Sequence, residues 1–324
     1  MHLDGSLRPS TMLELAADRG IELPAADPEA LARYMLVTDA RSLEDYLARF
    51  ALTLALMQDA EAIERIAYEL AEDHASENVR YVEVRFAPGL STEGGLAGEG
   101  VLDAALAGLA RAERDLGITA AVIVCALRSL PPSESVGAAR LAVAYRERGV
   151  CAFDLAGAEA GYPVKDHLEA FRVARAGGLP VTIHAGEGFG APSIRQALEL
   201  GGASRIGHGT RLLEDPELLA RVRDERIPVE VCLTSNVQTK VSLTYEQHPL
   251  RPYFDAGLVV CLCTDNRLMS GVTLTDEYEH ARDALGFTWD ELIRVARYGF
   301  EAAYVAPDVR ARLVKELDGA LAVL

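Results

Sequence analysis

Nowhere in this chain does an apolar run reach the roughly 18–20 residues that a membrane-spanning helix needs. The longest runs, at 120–127 and 258–263, have the length of strands. The N-terminus lacks the basic-then-apolar pattern of a secretory signal. Cysteine is sparse: there are five (Cys125, Cys151, Cys232, Cys261 and Cys263), an odd number with no CxxC pair. Most lie inside apolar, β-branched runs, where a thiol behaves as a small buried hydrophobe, so a disulfide framework is not expected. A reduced, cytoplasmic protein is. Basic charge is also short, with 32 Lys and Arg against 49 Asp and Glu and a formal net charge of −17. Nucleic-acid backbones and anionic membranes would be repelled by such a surface, which says nothing about a small neutral partner. The glycine-rich stretch at 186–190 (GEGFG) follows a strand-like run but lacks GxGxxG spacing, which argues against a phosphate-cradling dinucleotide site. With no linker, low-complexity tract or internal repeat, a single domain over residues 1–324 is expected.

What the chain does contain is a hydrophobic fraction of 50% with 25% charged residues, enough for a substantial core. Seven short, almost continuously apolar runs stand at 79–86, 119–127, 150–155, 180–185, 204–207, 228–233 and 258–264. Such runs suit a sheet covered on both faces. Amphipathic helical patterns lie around and between them, at 42–74, 100–116, 132–148, 165–176, 193–200, 215–225 and 275–285. Strand and helix in alternation predict parallel βαβ units and an α/β fold, a TIM-type (β/α)8 barrel. The eighth strand is the first: Met1-His2-Leu3-Asp4-Gly5 reads as the polar end of a strand whose apolar body is missing, so the first strand is expected to be truncated. Residues 7–78 are long for one crossover and are expected to hold several helices over the barrel mouth.

The chemistry concentrates at strand ends. Polar or ionisable residues beside small ones close the runs at His2-Leu3-Asp4-Gly5, at 154–159 (DLAGAE), at 184–187 (HAGE), at 206–209 (IGHG), at 234–236 (TSN) and at 264–266 (TDN). In a parallel barrel all these ends converge on one rim. Histidine and aspartate supply nitrogen and oxygen ligands for a divalent metal, and a ligand set with one open position binds water and lowers its pKa. A nearby carboxylate and imidazole then move protons. Taken singly, each residue has a plainer reading: Asp265 could cap a helix, Glu187 could be a solvated loop carboxylate, and His74, His167, His248 and His280 read as ordinary packing or rim histidines. Jointly, His2, His184, His208 and Asp265 at four strand ends favour a metal centre.

These residues resemble the adenosine deaminase family of metal-dependent hydrolases. The matching segments, in family order, are 2–6 (HLDGS), 79–88 (VRYVEVRFAP), 153–159 (FDLAGAE), 182–187 (TIHAGE), 205–212 (RIGHGTRL), 231–238 (VCLTSNVQ) and 264–278. The resemblance implies one Zn2+ held by His2, His184 and Asp265. It also implies a catalytic set of Glu187, His208 and Asp265. Glu187 protonates purine N1 and makes C6 electrophilic; His208 orients or deprotonates the water, with Asp265 assisting. Substrate contacts implied are Gly157 to the purine, and His2 and Asp4 to the ribose 5′-hydroxyl. The implied reaction is the hydrolytic deamination of adenosine and 2′-deoxyadenosine to inosine and ammonia.

Three positions depart from the family pattern. Family members carry His-x-His at the end of the first strand; here the first histidine would precede Met1, and a longer chain that supplies it is expected. Asn266 stands where many members have an aspartate contacting purine N7; its amide can donate that hydrogen bond without being protonated. Ala158 replaces a frequent acidic residue, a change expected to be neutral. The alternatives are another aminopurine deaminase, acting on adenine or aminodeoxyfutalosine, and a metal-poor, non-catalytic purine-binding paralogue.

Overall fold

The computed structural model describes residues 1–38, 46, 47 and 49–322. All seven apolar runs form strands: β1 (Tyr81–Phe86), β2 (Thr119–Leu127), β3 (Val150–Ala156), β4 (Thr182–Ala185), β5 (Arg205–His208), β6 (Val229–Val231) and β7 (Val260–Leu262). Every pairing is parallel. β1-β2-β3 make one sheet and β4-β5-β6-β7 a second, joined by a single bridge between Phe153 and Val181. The strands are mostly buried, as their lack of polar alternation requires.

The N-terminal segment meets the outer strands of both sheets. His2 forms one parallel bridge to Arg85. Arg85 donates its amide to the Met1 carbonyl and accepts one from Leu3, at 2.8 and 2.9 Å. On its other side the His2 amide donates to the Asp265 carbonyl at 2.8 Å, just beyond β7. A continuous eighth strand and a closed barrel are not seen among the described residues; one bridge and one hydrogen bond span the gap.

Helices cover the strands. The segment before β1 holds Pro9–Arg19, Pro28–Met35, Phe50–Leu56 and Ala60–Ser76. The single helical pattern read over 42–74 is thus broken: 42–45 and 48 lie outside the described residues, and a non-helical stretch at 57–59 separates the last two helices. The break follows from Asp59, whose carboxylate caps the second helix by accepting the Ala62 amide at 2.9 Å. Ala60–Ser76 packs on Gly98–Leu116 so closely that a Cβ on Gly108 would come within 2.2 Å of the Glu64 carbonyl oxygen.

Candidate metal centre and active site

The carboxyl ends of the strands bring the predicted histidines and aspartate together. His2 Nε2 lies 3.1 Å from His184 Nε2 and 3.5 Å from Asp265 Oδ1. Ligand atoms of His2, His184 and Asp265 all fall within 4.8 Å of one another. Tetrahedral zinc with bonds of about 2.0–2.1 Å needs ligand atoms about 3.3 Å apart, so the donor set and its spacing fit that ion. His2 is held by its bridge to β1, His184 sits within β4, and Asp265 follows β7. Asp265 and His208 both adopt left-handed backbone, at φ 57° and 61°. Few residues other than glycine do so, and the turn aims both side chains from the strand ends into one space.

Behind the donors stands a buried network that the sequence did not reveal. Asp154 on β3 lies 2.9 Å from His184 Nδ1, which places the ring proton on Nδ1 and the lone pair on Nε2, facing His2. Asp154 also pairs with Arg85 Nη1 at 3.1 Å. Arg85 pairs in turn with Glu230, Glu230 with Arg205, and Arg205 with Glu83. This ladder alternates in sign along the strand interior. Burial opposes the charge on Asp154 and Glu230, but His184 and Arg85 hold the first below the usual carboxylate range, and Arg85 and Arg205 the second.

Glu187 and His208 face the same space, with Glu187 Oε2 3.6 Å from His208 Nε2. Burial pushes the Glu187 carboxyl above its ordinary value despite the pull of the His208 imidazole. Burial disfavours a charged His208, yet Glu187 and Asp265 outweigh it and raise its proton affinity. The loop that carries Glu187 is anchored by Glu159. This carboxylate accepts the amide of Gly186 on Oε1 at 2.7 Å and those of Glu187, Gly188 and Phe189 on Oε2 at 2.9, 2.7 and 3.1 Å. The role of Glu159 was hidden in the DLAGAE stretch, because only the fold brings the β3 end against the β4 loop.

The remaining predicted positions are nearby. Asp4 Oδ1 is 3.9 Å from His2 Nδ1, and burial raises the Asp4 carboxyl to about 7. Asn266 is buried against Gly5, where an added Cβ would come 1.8 Å from Asn266 Oδ1. Asp4 Oδ1 and Asn266 Oδ1 are among the buried polar atoms that have no hydrogen-bond partner. Gly157, in left-handed backbone at φ 93°, directly follows β3.

The helix Leu233–Gln238 orients the cluster from behind. Ser235 Oγ donates to Asp265 Oδ2 at 2.7 Å, and Asn236 lies 3.0 Å from His208 Nδ1. Glu277, fully buried, accepts the Leu233 and Thr234 amides that open this helix. Cys232 also brings its thiol within 4.8 Å of donor atoms of His208 and Asp265, which its apolar run did not signal. His74 bonds the Leu70 carbonyl, His167 bonds Ser135 and the Arg128 carbonyl, and His280 stacks on Tyr245. These three stand apart from the cluster; His248 reaches Asn236 and does not.

The model of the adenosine deaminase family matches residues 1–320. An adenosine deaminase of Mycobacterium sp. (strain JLS) is 42% identical over 334 residues, covering 98% of this chain and 92% of the relative. A probable adenosine deaminase of Dictyostelium discoideum is also 42% identical, over 97% of this chain but 41% of its own greater length. Among solved structures, an adenine deaminase from Arthrobacter aurescens superposes with a TM-score of 0.92 at 27% identity, covering 99% and 97% of the two chains. An amidohydrolase from Burkholderia ambifaria with bound zinc gives 0.87 at 28%, over 99% and 90%. An Arabidopsis protein complexed with GMP gives 0.86 at 28%, over 98% and 95%. No described helix is long and apolar enough to cross a membrane.

Proposed function

The chain belongs to the adenosine deaminase family, and from that premise we propose that it hydrolyses the C6 amino group of adenosine and 2′-deoxyadenosine, as one domain whose strands close into an eight-membered barrel through the His2 segment. The observation that carries the reading is the convergence of His2, His184 and Asp265 beside Glu187 and His208. His2, His184 and Asp265 would hold Zn2+. Bound there, the ion supplies a water polarised enough to ionise near neutral pH.

The chain's own groups do the rest. Glu187, whose carboxyl burial pushes above its ordinary value, would donate its proton to purine N1 and make C6 accept a nucleophile. His208 and Asp265 orient the water toward C6, and Ser235 fixes the Asp265 carboxylate for that task. Gly157 and Asn266 would meet the purine; the Asn266 amide suits an N7 acceptor. Of the two water protons, one would pass by way of the Asp265 carboxylate to the amino group, which leaves as ammonia, and the other would restore Glu187; the 6-oxopurine nucleoside keeps N1–H and is released.

A ribose is favoured over a bare base by the unpartnered Asp4 Oδ1 beside His2, a natural acceptor for a sugar hydroxyl. A 5′-phosphate is disfavoured because the arginines flanking His2 and Asp265 are already engaged: Arg8 with Glu72 and Asp73, Arg85 with Asp154 and Glu230, Arg267 with Glu77. The test is ammonia release by the zinc-loaded chain from adenosine, 2′-deoxyadenosine, adenine, aminodeoxyfutalosine and AMP. Preference for the two nucleosides supports the proposal. Preference for adenine, aminodeoxyfutalosine or AMP moves it to a neighbouring substrate, and purine binding without turnover of any of them overturns it.

A further inference from the structure

Behind His208 runs a hydrogen-bond chain whose direction is fixed at its far end. The Leu250 backbone amide donates to His248 Nδ1 at 3.1 Å. His248 Nε2 lies 3.0 Å from Asn236 Oδ1, and Asn236 Nδ2 lies 3.0 Å from His208 Nδ1. Which way an asparagine amide points, and which imidazole nitrogen carries the proton, are ordinarily assignments. Here a backbone N–H settles both. It can only donate, so His248 Nδ1 must be bare and the neutral ring carries its proton on Nε2. That proton needs an acceptor, which makes the facing Asn236 atom the carbonyl oxygen and leaves the amide NH2 pointing at His208. His208 Nδ1 is therefore an acceptor, and the proton of its neutral ring sits on Nε2, the nitrogen that faces Glu187.

The opposite arrangement fails at the same point. A proton on His208 Nδ1 would require Asn236 to turn its oxygen toward it and its NH2 toward His248. The His248 ring would then accept on both nitrogens, which only an imidazolate can do. Burial of the whole chain excludes water as a substitute partner: His208, Asn236 and His248 are 2%, 0% and 1% exposed.

We propose that Asn236 and His248 are positioning residues that lock His208 as its Nε2–H tautomer, so that His208 presents a hydrogen-bond donor, not a lone pair, to the reacting centre. Of the two roles the resemblance left open for His208, orienting the water is retained and deprotonating it is not; proton acceptance falls to Asp265. The consequence for turnover rests on the deaminase reading of the site, but the tautomer does not.

The test uses the full, zinc-loaded chain labelled with 15N-histidine. Two-bond 1H–15N correlation spectra report which nitrogen of each ring is protonated, and the loss of one signal set in His208→Gln assigns His208. The expected wild-type pattern is a protonated Nε2 and a bare Nδ1. In Asn236→Asp the carboxylate can only accept, so the pattern should invert, with kcat down about 10–100-fold, the range for mispositioned supporting groups, and KM within about threefold. His248→Gln retains a side-chain N–H for Asn236 and should recover part of the activity that His248→Ala loses. A bare Nε2 in the wild type overturns the proposal, and so does an Asn236→Asp variant whose kcat holds or rises. If a variant does not fold, the wild-type spectrum decides alone. Absence of turnover on every aminopurine would sink the proposed function while leaving this spectrum to be read.

Discussion

Asp154 and His184 form a buried pair, with the carboxylate 2.9 Å from ring nitrogen Nδ1 while Nε2 of the same ring faces His2 at 3.1 Å. The pairing sets which face of the imidazole is nucleophilic. Asp154→Asn keeps the shape and loses the charge, and its amide can turn an N–H toward Nδ1. The expected result is a 10–100-fold weaker hold on zinc, roughly the loss seen when a ligand histidine loses its carboxylate. Zinc content after dialysis against graded chelator measures it; unchanged retention would remove Asp154 from the metal centre.

Under the proposed function Glu187 makes no such contribution to the metal. Glu187→Gln keeps the volume but has no proton to give, so turnover should fall about 10²–10⁴-fold, the range for a lost general acid. Zinc content and the melting temperature should be preserved. A variant depleted of zinc would place Glu187 among the ligands instead.

Glu159 holds the loop from beneath. Glu159→Ala leaves four amides, those of residues 186–189, without their acceptor. Hydrogen bonds to a charged group contribute about 1.5–3 kcal/mol each net of water, but the four share one carboxylate and a loosened loop regains water at its amides, so a loss of about 2–3 kcal/mol is expected. Urea unfolding gives the stability change. Steady-state kinetics should show kcat falling more than KM rises, since the loop places the proton donor rather than the purine. Glu159→Gln keeps one oxygen and should lie between the wild type and Glu159→Ala on both measures.

Two buried imidazoles contribute to the acid limb of stability. Burial lowers His248 to about 3, with His208 adding to it, and burial lowers His74 to about 4, with Arg267 adding to it. Both folded values lie below the unfolded value of about 6.5, so the unfolded chain takes up the protons first. Their contribution is therefore complete above about pH 6.5 and is lost as pH falls toward 4 and then 3, at up to about 1.4 kcal/mol per pH unit for each group. Asp4 and Glu277, raised to about 7 by burial, pull the other way in the same window, so the imidazole share is read by difference: between about pH 7 and 5 the wild type should lose more unfolding free energy than His74→Gln, by one group's share. A His74→Gln variant with the pH dependence of the wild type would show that the His74 ring is not neutral in the fold.

Much of the fold was legible in the chain. The seven apolar runs all form parallel strands, because burial on both faces leaves a continuous hydrophobic run whose shortness and β-branched content separate it from a buried helix. The helical segment before β1 was less legible. Its apolar period continues across 57–59, and the interruption depends on the single carboxylate of Asp59.

At the site, residue types and strand-end position were enough to single out His2, His184, His208 and Asp265, because metal and proton chemistry draw on few side chains, and the family resemblance added Glu187. Their partners could not be found that way. Asp154, Glu159, Asn236 and His248 act through atoms contributed by other strands and loops, across 30, 28, 28 and 12 positions of sequence. No local pattern encodes such a pairing. The sequence alone thus determined which elements form and which chemical groups reach one end of them, since both follow from hydrophobic period and side-chain type. Only the tertiary structure decided which nitrogen carries a proton and which carboxylate holds a loop, because those depend on hydrogen bonds whose geometry exists only after distant strands have packed.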